Sequence, residues 1–76
     1  MNKQRRERLR DALNSLESIA NILQHICDKE EDCMDNYPEN LQGTEKYERM
    51  EDAVDHLNDA IDKLDEVKES IQAAMA

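Results

Sequence analysis

Seventy-six residues, 19 acidic and 10 basic, make one small domain with a net charge of −9. That balance argues against general nucleic-acid affinity, because phosphate binding needs a basic surface, and no apolar run approaches the roughly 20 residues of a membrane span. One Gly, one Pro and two aromatic residues, Tyr37 and Tyr47, are too few turn formers and strand formers for an all-β fold.

The chain opens on Met1-Asn2-Lys3-Gln4-Arg5-Arg6, which is basic but has no apolar stretch behind it. It does not read as a signal peptide, so the expected compartment is the cytoplasm, with Cys27 and Cys33 as reduced thiols. A first helix is predicted from about residue 3 to about residue 33. With Leu13 at heptad position a, that position holds Leu13, Ala20, Cys27 and Met34, and position d holds Leu9, Leu16, Leu23 and Glu30. Position g holds Ala12, Ile19, Ile26 and Cys33, and no Gly or Pro interrupts the run.

A turn region follows over about residues 34–44, with Asn36, Pro38, Asn40 and Gly43. Pro38 stops the first helix, because the residue before a proline is pushed out of the α region. Pro38-Glu39-Asn40-Leu41 is expected to form a short helical turn with Pro at its first position. The second helix is predicted over about residues 45–74, capped by the Thr44 hydroxyl, with Glu45 and Glu48 near the positive end of its dipole. Its position a holds Tyr47, Val54, Ile61, Lys68 and Met75, and position d holds Met50, Leu57, Leu64 and Ile71. Position g holds Ala53, Ala60, Val67 and Ala74. Two helices with one short connection pack antiparallel.

The apolar stripe is wider than a hairpin needs. A two-stranded coiled coil uses only a and d, whereas both helices here are also apolar at g. Left wet, two such stripes, each roughly 45 Å long at 1.5 Å per residue, would expose more apolar surface than monomers tolerate. The fold class predicted is therefore all-α: one antiparallel helical hairpin over residues 1–76, dimerising into a four-helix bundle. The self-association core is expected at Leu9, Leu13, Leu16, Ile19, Leu23 and Ile26 of the first helix. The second helix should contribute Met50, Val54, Leu57, Ile61, Leu64, Val67 and Ile71. Ile22, at the outward position c, is either a lone exposed apolar residue or a contact for a further partner. Lys68, the charged a residue of the second helix, should snorkel or pair with an acid of a neighbouring helix; antiparallel pairing places it near the start of the first helix, where Glu7 and Asp11 are the nearest acids.

No constellation reads as a catalytic, cofactor or metal site. Cys27 and Cys33 with His25 and His56 do not match the C-x₂₋₄-C spacing of structural zinc sites. A Cys27–Cys33 disulfide would need the helix to end before Cys33. Asp28 to Glu39 places acids and amides at several positions of a calcium-binding loop, but Cys33 stands where the sharp turn needs Gly. Carboxylate pairs such as Asp52/Asp55 and Asp62/Asp65/Glu66 lack an evident pocket to perturb them. There is no phosphate loop, nucleophile elbow or Ser/His/Asp arrangement. Charge is uneven along the chain. Residues 3–10 carry Lys3, Arg5, Arg6, Arg8 and Arg10 against Glu7, while residues 28–55 carry eleven acids against Lys29, Lys46 and Arg49. The basic start is expected to lie beside Asp62, Asp65, Glu66 and Glu69.

The stretch Tyr37-Pro38-Glu39-Asn40-Leu41-Gln42-Gly43-Thr44-Glu45-Lys46-Tyr47-Glu48, continuing through Met50-Glu51-Asp52-Ala53-Val54-Asp55 and Ala60-Ile61-Asp62, resembles short uncharacterised helical proteins of Firmicutes-type prophages and mobile elements. The resemblance covers the C-terminal half and implies a small helical protein of mobile-element origin, with no chemistry attached. The hairpin-dimer architecture is also similar to that of Rop-type plasmid RNA-binding proteins. That is an analogy of fold, and the mostly acidic outer faces here speak against RNA. The function expected is a non-enzymatic protein–protein interaction module, a homodimer that engages a further protein, in one version as a phage or mobile-element inhibitor of a host protein. The alternative from another class is an acidic mimic of DNA or another nucleic-acid-directed regulator.

Overall fold

The computed structural model describes all 76 residues as two long helices, α1 (Lys3–Asp35) and α2 (Glu45–Met75), joined by a short turn. No strand is present. Each boundary has a local cause. The Asn2 side chain accepts from the Arg5 backbone N–H at 2.8 Å and caps α1. The capping role of Asn2 adds to what the heptads alone suggested. At the other end, α1 runs two residues past the predicted stop. Asn36 closes it, its backbone N–H and its side-chain amide both donating to the Asp32 carbonyl.

Pro38 then holds the chain extended, and a single 3₁₀ turn forms over Glu39–Leu41, just after the proline rather than beginning on it. Thr44 caps α2 as expected, accepting from the Tyr47 N–H while its hydroxyl donates to the Leu41 carbonyl at 2.7 Å. The Tyr37 and Tyr47 rings meet edge to face, 5.6 Å between centroids, and close the turn end of the hairpin.

That early closure sets the register. Tyr37 meets Tyr47, Cys27 meets Asn58 and Glu17 meets Lys68, so facing residues have numbers that add to 84 or 85. Leu16 thus lies level with Lys68, Leu23 with Ile61, and Cys27 with Leu57. The first residues of α1 overhang the end of α2. Two expectations are corrected by this overhang. Asp62 lies level with Ile22, far from the basic start, and the acid that reaches Lys68 from α1 is Glu17 rather than Glu7 or Asp11.

The hairpin is a slab of 59 × 15 × 13 Å. Only Ala20, Cys27 and Val54 are buried in it. The remaining a and d residues, among them Leu9, Leu13, Leu16, Leu23, Met50, Leu57, Ile61, Leu64 and Ile71, are half-buried. Two helices side by side cover one side of each other and no more.

Candidate functional site

The two flanks of the helix–helix seam differ in kind. In an antiparallel pair, the e positions of both helices line one flank and the g positions line the other. The e flank is polar and closed. Cys27, with no accessible surface, has two acceptors for its one thiol proton, Asn58 Oδ1 at 3.5 Å and Glu31 Oε1 at 3.7 Å. One helical stretch away, Lys68 Nζ donates to Glu17 Oε2 at 2.9 Å and pairs with Asp65 Oδ1 at 3.1 Å. The Lys68 methylenes lie along the stripe while its charge sits among carboxylates, so snorkelling and pairing are combined in one residue. Glu31, Asn58, Glu17 and Asp65 are all e residues. Two of the contacts, Cys27–Asn58 and Lys68–Glu17, tie the helices together across this side of the seam.

The g flank is apolar and open. Ile19, Ile26 and Val67 expose 45%, 47% and 45% of their surface. Ile22, at 59%, belongs to the same surface. On a helix, position c neighbours position g, so Ile19, Ile22 and Ile26 at i, i+3 and i+7 form one row. Ile22 is therefore the outer edge of the g flank and not an isolated residue. The register brings Val67 of α2 level with Ile19 and Ala60 level with Ile26. Towards the free end the same flank opens into a groove with Leu9, Val67, Ile71 and Ala74 along it and Lys63, Glu66 and Ser70 at its rim. Of the residues expected to form a self-association core, Ile19, Ile26 and Val67 lie out on this face, and Val54 is the one buried within the hairpin.

The other candidates disperse. His25 and His56 are both exposed, and no three His, Cys, Asp or Glu side chains converge as a metal ligand set. α1 continues through Cys33, so Cys27 points into the seam while Cys33 stays exposed, and geometry forbids a bond between them. Asp28 to Asp35 is helical rather than a loop, so its carboxylates do not surround a common centre. No helix of the chain is long and apolar enough to cross a membrane.

The sealed flank carries a pH signature. Burial pushes the Cys27 thiol above its ordinary value of 9.0, and the charge and hydrogen bond of Glu31 push it the same way. The hydrogen bonds that Lys68 donates to Glu17 and Asp65 hold its ammonium above 10.5. Both folded values exceed the unfolded ones, so both contributions are intact below the unfolded value and are lost as pH rises through the folded one. The thermal midpoint should therefore begin to fall above about pH 9, with Lys68 adding to the fall at higher pH. Cys27→Ser keeps a donor for Asn58 and removes the titration. In thermal melts under reducing conditions it should flatten the first part of that decline. An unchanged slope would show that the thiol is not shielded as described.

Neither a family model, nor a curated protein, nor a solved structure matches the chain.

Proposed function

We propose that this chain is a non-enzymatic protein–protein interaction module that works as a homodimer, its g flank covered by a second copy in a four-helix bundle. The observation that carries this reading is the asymmetry of the seam: one flank is closed by Cys27, Asn58, Lys68 and Glu17, and the other is open along Ile19, Ile22, Ile26 and Val67. A short chain with three buried residues has little core of its own, and small folds of this kind commonly complete it by association. The face is also large enough. A slab of 59 by 15 Å offers a footprint of about 900 Å², comparable to the roughly 800 Å² per partner of a standard interface.

Sedimentation equilibrium at micromolar concentration should return twice the 8.9 kDa chain mass. A fully helical monomer at that concentration would remove the reading. The mobile-element resemblance of residues 37–62 adds the expectation that the outward faces of the dimer engage a host protein, as a small inhibitor would.

A second reading rests on the turn end, where exposed carboxylates cluster and Arg49–Glu45 is the local ion pair. Such a surface can occupy a basic groove in place of nucleic acid. The two readings separate by salt. A mimic's grip on a basic protein weakens steeply as salt rises, while an apolar interface persists.

A further inference from the structure

The charges of α1 run against its own dipole. Helices favour acids in the first turn and bases in the last. α1 has no acid in its first turn and no base in its last. Lys3, Arg5 and Arg6 sit at its start, and Glu31, Asp32 and Asp35 at its end. Nothing within the hairpin compensates. The ion pairs of the chain are Arg49–Glu45, Lys63–Asp59, Lys68–Glu17 and Lys68–Asp65. None involves Lys3, Arg5, Arg6, Arg8 or Arg10. Arg6 Nε is even enclosed against the protein without an acceptor. The overhang beyond α2 removes these bases from the acids of α2, leaving only Glu7 and Asp11 of α1 nearby.

We infer that the second copy lies on the g flank with its turn at the opposite end, so that the basic start of each hairpin meets the acidic turn end of the other. This inference rests on the homodimer reading above and adds its orientation. Two hairpins stacked face to face can be related in two ways. In one, the two-fold axis runs along the bundle and both turns lie at one end. In the other, the axis crosses the bundle and the turns lie at opposite ends. Neighbouring helices are antiparallel across the interface either way, so backbone dipoles do not choose between them. Side-chain charge does.

With turns together, the eleven acids among residues 28–55 of one copy meet the same eleven of the other, and the two basic ends also meet. Like charges so placed repel. With turns opposed, α1 stacks on the α1 of the second copy. Centring the stack on the apolar row places Ile22 near its own counterpart and Ile19 near Ile26. Arg5 and Arg8, which continue the g and c positions of the row, then lie level with the turn around Glu39 of the other copy. The misaligned end charges of α1 find opposite charges at both ends of the bundle.

The test is a distance between turns in the intact dimer. Spin labels at Asn40, in a Cys33→Ser/Asn40→Cys chain, report it by double electron–electron resonance, with Cys27 left in its closed position. Glu48→Cys in the same background gives a second, independent site on the outer face of α2. Opposed turns predict separations of roughly 40 Å or more at both sites, from 1.5 Å of rise per residue on either side of the bundle centre. Turns together predict less than roughly 25 Å, set by helix spacings of 8–10 Å and the label arms. The short distance would overturn the orientation and leave the homodimer standing. A monomeric mass by sedimentation, with no dipolar signal, would overturn both.

Discussion

Ile26→Asp is expected to abolish self-association while leaving the hairpin's own seam untouched. Ile26 is nearly half exposed in the single hairpin and makes no part of its hydrogen-bonded flank. In the proposed bundle it closes the row formed with Ile19 and Ile22 and faces the second copy. A carboxylate there would be shut away from water without a cation beside it, which costs several kcal/mol. At about 1.4 kcal/mol per tenfold, association should weaken at least roughly 100-fold. Sedimentation equilibrium reads this as a shift from dimer to monomer mass. Ser18→Asp adds the same charge on the outer face of the same helix and should leave the mass unchanged. Equal masses for the two variants would mean that the g flank is not the interface.

Leu57→Ala should lower the thermal midpoint by at least roughly 10 °C. Leu57 is half-buried and lies level with Cys27, the one residue of the seam with no accessible surface. Truncating a core leucine typically costs 2–5 kcal/mol, and one kcal/mol moves the midpoint of a chain this size by about 4–8 °C. So small a core rarely supplies more than about 3–5 kcal/mol, so the loss is a large share of the whole. Val67→Ala removes less and acts on the open flank, so its effect should depend on protein concentration. A Leu57→Ala midpoint within error of the parent would contradict the register that places Leu57 opposite Cys27.

The sequence was informative wherever one local rule sufficed. Thr44 as a cap and Pro38 as a stop follow from backbone chemistry alone, and the 3.5-residue repeat of Leu13, Leu16, Ala20, Leu23 and Cys27 fixes the inward face of α1. Register did not follow, because it depends on how tightly the turn closes. The Tyr37–Tyr47 contact is a tertiary event that no periodicity encodes. Once it is known, Lys68 moves from Glu7 and Asp11 to Glu17, and the basic start of α1 loses the acids it was expected to meet. The role of Ile22 was hidden for a related reason. A heptad label of c reads as outward, yet c adjoins g, and whether that edge matters depends on g being the open flank. The split between a sealed e flank and an open g flank was in the letters all along: Glu17, Glu31, Asn58 and Asp65 on one side, Ile19, Ile26 and Val67 on the other. It becomes a site only when the antiparallel pairing puts like positions together.

Isotope-filtered NMR on a dimer mixed from ¹³C-methyl-labelled and unlabelled chains asks most directly what covers that face. Intermolecular NOEs are expected to the methyls of Ile19, Ile22, Ile26 and Val67, with none to the side chains around Glu17, Asn58 and Lys68. Absence of intermolecular NOEs at the isoleucine row, or their appearance along the polar flank instead, would contradict the account.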